Sequence, residues 1–255
     1  MTGIYSPTRA LPVRVNRRLV PFRAKRSLAI KLDNPIVSLT FDDCPKSVIE
    51  TAIPAIEDEG WQASLYVAMG LCGTTNHLGL HMSEGDVKAA YANGHEIGGH
   101  TLNHINVATV SSSNFKEEIE KNQTKLVELG IPASQTFAYP YGETNLAAKN
   151  YVTETFSGAR GIRGHVHRSS VDLNQIGSKC LYSGQHFENL LREISTLRQN
   201  PGWMTIYTHD VRDNPSPFGC TPGEFLQVVS TIKSSGAQVM PVASAINFLQ
   251  KRGDK

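Results

Sequence analysis

The sequence lacks any long apolar segment. Nowhere in its 255 residues does an apolar run approach the roughly 20 residues that a membrane-spanning helix needs. The N-terminus also lacks the uninterrupted apolar core of a secretory signal, because Arg14, Arg17 and Arg18 interrupt it. We therefore expect no transmembrane segment and a cytoplasmic location.

Cysteine is scarce, and its spacing excludes the common zinc motifs. The four cysteines, Cys44, Cys72, Cys180 and Cys220, form no C-x-x-C pair. Without a signal sequence, free thiols in a reducing compartment are the expectation. The net charge of +2 is also too small to indicate binding to nucleic acid.

Positive charge is concentrated at the N-terminus. Residues 1–35 contain eight Lys and Arg residues against one acid, Asp33, which gives +7, whereas residues 36–255 carry −5. We interpret residues 1–35 as a basic N-terminal arm or lead-in segment and residues 36–255 as a single domain. We expect a solvated, partly ordered lead-in strand; the alternative is an arm lying near an anionic membrane or an anionic substrate.

Short apolar segments alternate with helical segments from residue 36 onwards. Residues 36–41, Ile-Val-Ser-Leu-Thr-Phe, predict a buried strand, while residues 47–59 and a segment opening at Asn114 predict helices. This alternation is typical of an α/β fold with a mainly parallel sheet. Seven predicted strands fit a distorted barrel better than an open sheet, although counting strands does not decide closure.

Polar side chains follow four of these strands. The carboxyl ends of parallel strands share one rim, where the active sites of α/β proteins lie. The groups at these ends are Asp42 and Asp43, His100 and His104, residues 139–142, and His209. Chance can place one or two polar groups at a rim, but four indicate a functional site.

Two imidazoles and a carboxylate in this set suit a metal ion. His100 and His104 are spaced i and i+4, so on a helical turn they would share a face. With one aspartate they match the stoichiometry of a catalytic site for a divalent ion. The second aspartate is then left as a general base, and His209 could protonate a leaving amine. A polar helix face and a buried, hydrogen-bonded His209 are the alternatives.

These motifs resemble the polysaccharide deacetylase family, also called the NodB homology domain of carbohydrate esterases. The resemblance rests on Thr40-Phe41-Asp42-Asp43, His100-x-x-x-His104, the Tyr139-Pro140-Tyr141-Gly142 turn and Thr208-His209, in matching order and spacing, and it covers about residues 36–245. It implies a single-domain deformed (β/α)7 barrel, a divalent metal that is usually zinc, and hydrolysis of an N-acetyl group on a sugar. Phe137-Ala-Tyr-Pro-Tyr-Gly142 looks like the branch that acts on poly-N-acetylglucosamine and related glycans.

The resemblance also implies residue roles. Asp43, His100 and His104 would bind the metal, Asp42 would be the general base, and His209 would protonate the departing amine. The Tyr141 backbone N–H would polarise the acyl oxygen. Substrate contacts are expected at the four residues Tyr139, Pro140, Arg160 and Arg163, with Asp42 as an alternative partner for either arginine.

The chain departs from the family pattern at three points. Cys44 follows the aspartate pair where many members have glycine, and Ala138 stands where many have the arginine that holds the catalytic aspartate. The tryptophan-containing fourth motif is not visible, which leaves Asp172 as a candidate carboxylate partner of His209. His77, His81, His165 and His167 are interpreted as surface or substrate-facing residues, and Trp203 as a core residue.

The substrate expected is an N-acetylated sugar in polymeric, lipid-linked or nucleotide-linked form. Two alternatives stay open at this point. One is an amidohydrolase or deformylase acting on another N-acyl substrate, because a fold does not fix a substrate. The other is a catalytically lapsed, glycan-binding member, which has no need of the base and acid that this chain retains. The sequence indicates neither the glycan nor an oligomeric state.

Overall fold

A curled sheet of parallel strands organises the chain in the computed structural model, which describes residues 18–184 and 186–253. The strands are β1 (Ser27–Ala29), β2 (Ile36–Asp42), β3 (Ser64–Val67), β4 (Thr75–Asn76), β5 (Gly79–Leu80), β6 (Glu96–Gly99), β7 (Thr136–Ala138), β8 (Gly158–Arg160), β9 (Ser170–Asp172), β10 (Lys179–Cys180), β11 (Trp203–Thr208) and β12 (Gln238–Val239). The main sheet runs in the order β10-β11-β2-β3-β6-β7-β8, and β12 also pairs with β2.

Helices cover this sheet and connect its strands. They are α1 (Ile53–Glu57), α2 (Glu84–Ala92), α3 (Ser112–Glu128), α4 (Leu146–Thr155), α5 (Phe187–Ser195), α6 (Pro222–Ser235) and α7 (Val242–Gly253). The predicted α/β class and deformed (β/α)7 barrel are thereby confirmed. Residues 173–176 run alongside β8, where the Ala159 N–H donates to Leu173 O at 2.7 Å and the Ile176 N–H donates to Ala159 O at 2.7 Å.

Strand β2 lies at the centre because its sequence leaves it no exposed face. All seven of its residues are buried, as expected for a β-branched and apolar run in a parallel sheet. Its register with β11 pairs Ile36 with Trp203 and Phe41 with Thr208. The residues next along the chain from this last pair, Asp42 and His209, therefore reach the same rim. Trp203 is fully buried, as predicted for a core residue.

Two helix starts differ from the sequence-based expectation. Helix α3 is capped by Ser111, whose Oγ accepts the Asn114 N–H at 3.2 Å, so Asn114 lies inside the first turn. The helix predicted over residues 47–59 is instead a π-helical turn, Val48–Ala52, followed by the short α1. Among the described residues, no helix is long and apolar enough to cross a membrane.

The lead-in segment packs against the barrel from residue 18 onwards. Strand β1 pairs antiparallel with β9, joining Ser27 to Asp172 and Ala29 to Ser170. Arg26 reinforces this contact, because its guanidinium donates to Ser157 O at 2.7 Å and Phe156 O at 2.9 Å. The predicted arm also includes residues 1–17, which lie outside the described part of the chain.

Candidate active site

The end of β2 is a strained turn that aims two carboxylates. Asp43 and Cys44 both have a left-handed backbone, with φ of 58° and 51°, a conformation that costs a non-glycine residue free energy. Asp42 and Asp43 are 4% and 7% exposed. The segment at His81 stabilises the turn, because the Met82 N–H donates to Cys44 O at 3.0 Å and His81 Nδ1 lies 2.9 Å from Asp43 O.

His100 and His104 come together in a loop, so the predicted helical turn is wrong. Strand β6 ends at Gly99, and the chain then passes through Thr101 and His104 at φ of 59° and 52°. These two left-handed residues fold the loop back on itself and bring the two imidazole centroids to 4.8 Å. The spacing predicted the proximity correctly but not the backbone that produces it.

A buried glutamate on a distant helix holds this loop. Glu118 of α3 is 8% exposed, and its carboxylate accepts the Asn103 N–H and the Asn103 side-chain amide, both at 2.8 Å. Its backbone carbonyl accepts the Leu102 N–H at 3.1 Å. Sequence reasoning missed Glu118, because a glutamate within a polar helix gives no signal that it faces inward.

Asp43, His100 and His104 form a compact group of possible metal ligands. One donor atom from each lies within 4.8 Å of the others. The Nε2 atoms of His100 and His104 are 3.5 and 3.4 Å from Asp43 Oδ1. His100 Nδ1 lies 2.8 Å from Ala138 O, a contact in which Nδ1–H donates and Nε2 keeps its lone pair for a ligand.

The electrostatics of this group suit a cation. Burial would raise the pKa of Asp43, but His104 and His100 outweigh it and lower that pKa to about 2. Burial lowers the pKa of His104 to about 4, so its imidazole is neutral near pH 7. Asp43 Oδ1 is buried without a hydrogen-bond partner among the described residues. Two imidazole nitrogens and one carboxylate therefore fit a divalent transition metal such as zinc.

Arg160 binds Asp42 and lies too deep to touch a substrate. Its Nη2 forms an ion pair with Asp42 Oδ2, and its guanidinium carbon lies 5.3 Å from the Tyr66 ring centroid and 4.9 Å from that of Tyr207. Arg160 is fully buried. Its predicted substrate contact is therefore wrong, and the alternative, contact with Asp42, is what the structure shows. Asp42 Oδ1 has no hydrogen-bond partner among the described residues.

His209 is oriented by a backbone carbonyl rather than by a carboxylate. Its Nδ1 lies 3.1 Å from Phe218 O, and its own N–H donates to the same carbonyl at 3.2 Å. Asp172 lies elsewhere, where its carboxylate accepts the Lys149 ammonium at 2.8 Å and the Arg26 N–H at 3.0 Å. The prediction of Asp172 as the partner of His209 is therefore wrong.

The turn after β7 presents Tyr141 to the metal ligands. Tyr141 has φ of 58°, and its ring centroid is 4.3 Å from that of His104. Tyr139 and Pro140 are buried, and the Tyr139 hydroxyl donates to Asn174 O at 3.0 Å. The prediction that Tyr139 and Pro140 contact substrate is corrected accordingly, because both side chains lie in the protein interior.

A cavity of about 420 Å³ joins these groups. Asp42, Asp43, His100, His104, His209 and Tyr141 all line it, together with Arg163. Its wall includes aromatic side chains, and the Phe218 ring contacts those of His77 and Tyr182. His81 and His167 are 1% and 5% exposed and His165 is exposed, so the interpretation as surface or substrate-facing residues is wrong for the buried pair.

Comparison with known proteins identifies the class to which this fold and site correspond. The family model described as polysaccharide deacetylase matches residues 29–155. The chain therefore belongs to the polysaccharide deacetylase family, as its motifs predict. No curated protein matches it at a significant level.

Three solved structures illustrate the similarity in fold. The chitin deacetylase of the fungal pathogen Colletotrichum lindemuthianum is 15% identical, with a TM-score of 0.58 over 84% of this chain and 92% of that one. The Bc1960 peptidoglycan N-acetylglucosamine deacetylase is 19% identical, with a TM-score of 0.58 over 90% and 96%. A family 4 acetyl xylan esterase from Clostridium thermocellum, in complex with a cobalt ion, is 18% identical, with a TM-score of 0.59 over 84% and 91%.

Proposed function

We propose that the protein is a metal-dependent hydrolase that removes an N-acetyl group from a sugar. The observation that carries this proposal is the grouping of Asp43, His100 and His104 within 4.8 Å, in the same cavity as Asp42 and His209. A site for a divalent ion, a base and an acid are the parts that hydrolysis of an amide needs. The donor set favours Zn²⁺ as the ion.

Asp42 is proposed as the general base. A divalent ion held by Asp43, His100 and His104 would lower the pKa of bound water and polarise the acyl carbonyl. Asp42 Oδ2 is taken by Arg160, whereas Oδ1 has no partner among the described residues. Oδ1 is therefore the oxygen that can accept a proton from the attacking water, and Arg160 fixes the direction in which it points.

Arg160 takes over the role that an arginine in the third motif plays in the family pattern. Ala138, which occupies that position here, is paired in register with Arg160 on the neighbouring parallel strand. Paired residues of adjacent strands project to the same face of a sheet, about 5 Å apart. The small side chain of Ala138 leaves that face open, so we infer that the arginine has moved by one strand while keeping its target, Asp42.

His209 is proposed as the general acid. Its Nδ1 faces Phe218 O, so Nδ1–H donates there and Nε2 is left as the atom that exchanges a proton. His209 lines the same cavity as Asp42, which places acid and base around one substrate. The Tyr141 backbone N–H is proposed as the donor that stabilises the acyl oxygen as negative charge develops on it.

The walls of the cavity suggest a sugar substrate. Flat aromatic rings such as those of His77, Tyr182 and Phe218 can pack against the C–H face of a pyranose, and Arg163 supplies an exposed cation at the rim. We propose an N-acetylated glycan or a lipid-linked or nucleotide-linked precursor, in line with the similarity to a chitin deacetylase and a peptidoglycan N-acetylglucosamine deacetylase.

The test is acetate release from N-acetylated sugars, both polymeric and nucleotide-linked. The protein is first treated with a chelator and then reconstituted with zinc. Release that disappears with chelation and returns with zinc supports the proposal. Turnover that is unchanged after complete removal of metal would refute the metal dependence, and formate release from N-formylated sugars without acetate release from N-acetylated ones would refute the acyl group.

A further inference from the structure

We propose that the protein docks on an anionic phospholipid membrane through a surface beside the mouth of the cavity. This docking patch consists of three apolar side chains, Leu19, Phe22 and Leu146, and four basic ones, Arg18, Arg23, Lys25 and Arg163. The docking itself does not depend on the proposed catalytic function; only its consequence for the substrate does.

The apolar part of the docking patch is unusually exposed. Phe22 is 76% exposed, the largest value among the large apolar side chains that the structure describes, and Leu19 and Leu146 are 45% and 40% exposed. Scattered exposed apolar residues are common. Here two of the three are held by one short turn, with Leu19 immediately before it and Phe22 at its end.

Cations lie close in sequence to Leu19 and Phe22. Arg18, Arg23 and Lys25 are exposed, and residues 18–25 include no acid. The Lys25 ammonium lies 5.4 Å from the Phe22 ring centroid, so charge and aromatic surface share one face. Aromatic and aliphatic side chains flanked by Lys and Arg are the pattern by which peripheral proteins enter an anionic lipid interface. A soluble polyanion would engage the cations but would leave Leu19 and Leu146 in water.

The docking patch is fixed next to the cavity. Val20 is 2% exposed, and its carbonyl lies 3.4 Å from the buried Lys149 ammonium of α4, the helix that begins with Leu146. Val20 and Pro21 line a small cavity together with Tyr141 and Arg163, both of which also line the main cavity. A membrane that contacts the docking patch would therefore face the opening through which substrate enters.

A rigid attachment makes the orientation of the docking patch meaningful. Strand β1 follows it immediately, and Arg26 ties that junction to the end of α4 through Phe156 O and Ser157 O. The side chains before β1 are therefore not on a free tail. The docked protein would present its cavity to the lipid headgroups, which favours a sugar linked to a lipid over a soluble polymer as the substrate.

The experiment measures binding of the full chain to sedimented vesicles. Neutral phosphatidylcholine vesicles are compared with vesicles that contain about 30% phosphatidylglycerol, at about 0.1 M and about 0.5 M salt. Phe22→Ser should weaken binding to anionic vesicles at least about tenfold. Arg23→Ser combined with Lys25→Ser should weaken it by about fivefold for each cation removed. Leu226→Ser and Lys88→Ser, at exposed positions on α6 and α2, are matched controls and should bind like the wild type.

Several outcomes would overturn the proposal. These are no binding to either type of vesicle, equal binding to neutral vesicles, unchanged binding of the Phe22 variant, or binding to dextran sulfate without binding to vesicles. Acetate release from a soluble substrate is measured on the same variants and should stay at the wild-type level. If the wild-type protein releases no acetate, that result counts against the deacetylase proposal and not against docking. Failure of the proposed function and failure of the docking proposal can therefore be distinguished.

Discussion

Arg160→Ala is the substitution that tests the proposed site most sharply. Arg160 is fully buried, paired with Asp42 and enclosed by the rings of Tyr66 and Tyr207. Removing one partner of a buried ion pair leaves an uncompensated charge and costs about 3–5 kcal/mol. At about 2–4 °C per kcal/mol for a protein of this size, the melting temperature should fall by about 6–20 °C.

Activity should fall through kcat rather than KM. Arg160 does not line the cavity, so its loss leaves substrate contacts intact and removes only the orientation of the base. A misdirected general base typically costs about 100-fold or more in rate. Measured well below the melting temperature, the variant should therefore show a kcat lower by about 100-fold with little change in KM.

Moving the arginine to the neighbouring strand should restore part of this loss. The double variant Arg160→Ala with Ala138→Arg keeps the total side-chain volume and places the guanidinium at the position paired with residue 160. We expect kcat at least about tenfold above that of Arg160→Ala, the scale at which a general base regains part of its effect. Rescue by transfer separates a positioning role from a general role in stability.

Acetate release and thermal unfolding are measured on the wild type, on both variants and on Arg163→Ala. Arg163 is an exposed arginine at the rim, so its loss should raise KM and leave the melting temperature unchanged. A folded Arg160→Ala protein with wild-type kcat would refute the reasoning, because Asp42 would then need no partner.

Three further substitutions test the other proposed roles. Asp42→Asn should retain zinc binding but lower turnover by at least about 100-fold; wild-type turnover would eliminate Asp42 as the base. His209→Gln should slow amide hydrolysis by about 100-fold but an aryl acetate, whose leaving group needs no proton, by less than about tenfold; equal effects on both substrates would argue against an acid role. Glu118→Ala should weaken zinc affinity by about 10- to 100-fold in a chelator competition, because the backbone and side-chain amides of Asn103 lose their acceptor. Unchanged affinity in a folded variant would show that the 100–104 loop keeps its conformation without Glu118.

The rim of the barrel was predictable from sequence because it follows from one topological rule. Parallel strands deliver their carboxyl ends to the same side, so Asp42, His100 and His209 had to converge once the strands were recognised. The rule gives no information on the backbone between strand and ligand. The 100–104 loop takes its shape from two left-handed residues and from a hydrogen bond between Asn103 and Glu118 of α3. Local sequence patterns give no sign of that hydrogen bond.

The role of Arg160 was not predictable because it depends on register. The absence of arginine at position 138 was readable from the motif, and Arg160 was one of two candidates to replace it. Only the pairing of Ala138 with Arg160 across β7 and β8 shows why Arg160 is the arginine that reaches Asp42. Arg163, three residues further along the chain, stays at the surface. The prediction for Tyr139 was wrong because its hydroxyl bonds to Asn174 O, a contact distant in sequence that no local pattern indicates.

The left-handed residues around the site set a limit on how far the protein can be stabilised by engineering. Asp43, Cys44, His104 and Tyr141 all have φ between 51° and 58°, and each such residue costs about 1–3 kcal/mol that the rest of the fold must offset. Glycine would remove that cost, but at Asp43 and His104 it would also delete a proposed ligand. The side chains of Cys44 and Tyr141 have no part in the proposed chemistry, although the Tyr141 ring packs against that of His104. Heat resistance and activity therefore compete at Asp43 and His104, and Cys44 is the position at which stability can be improved independently.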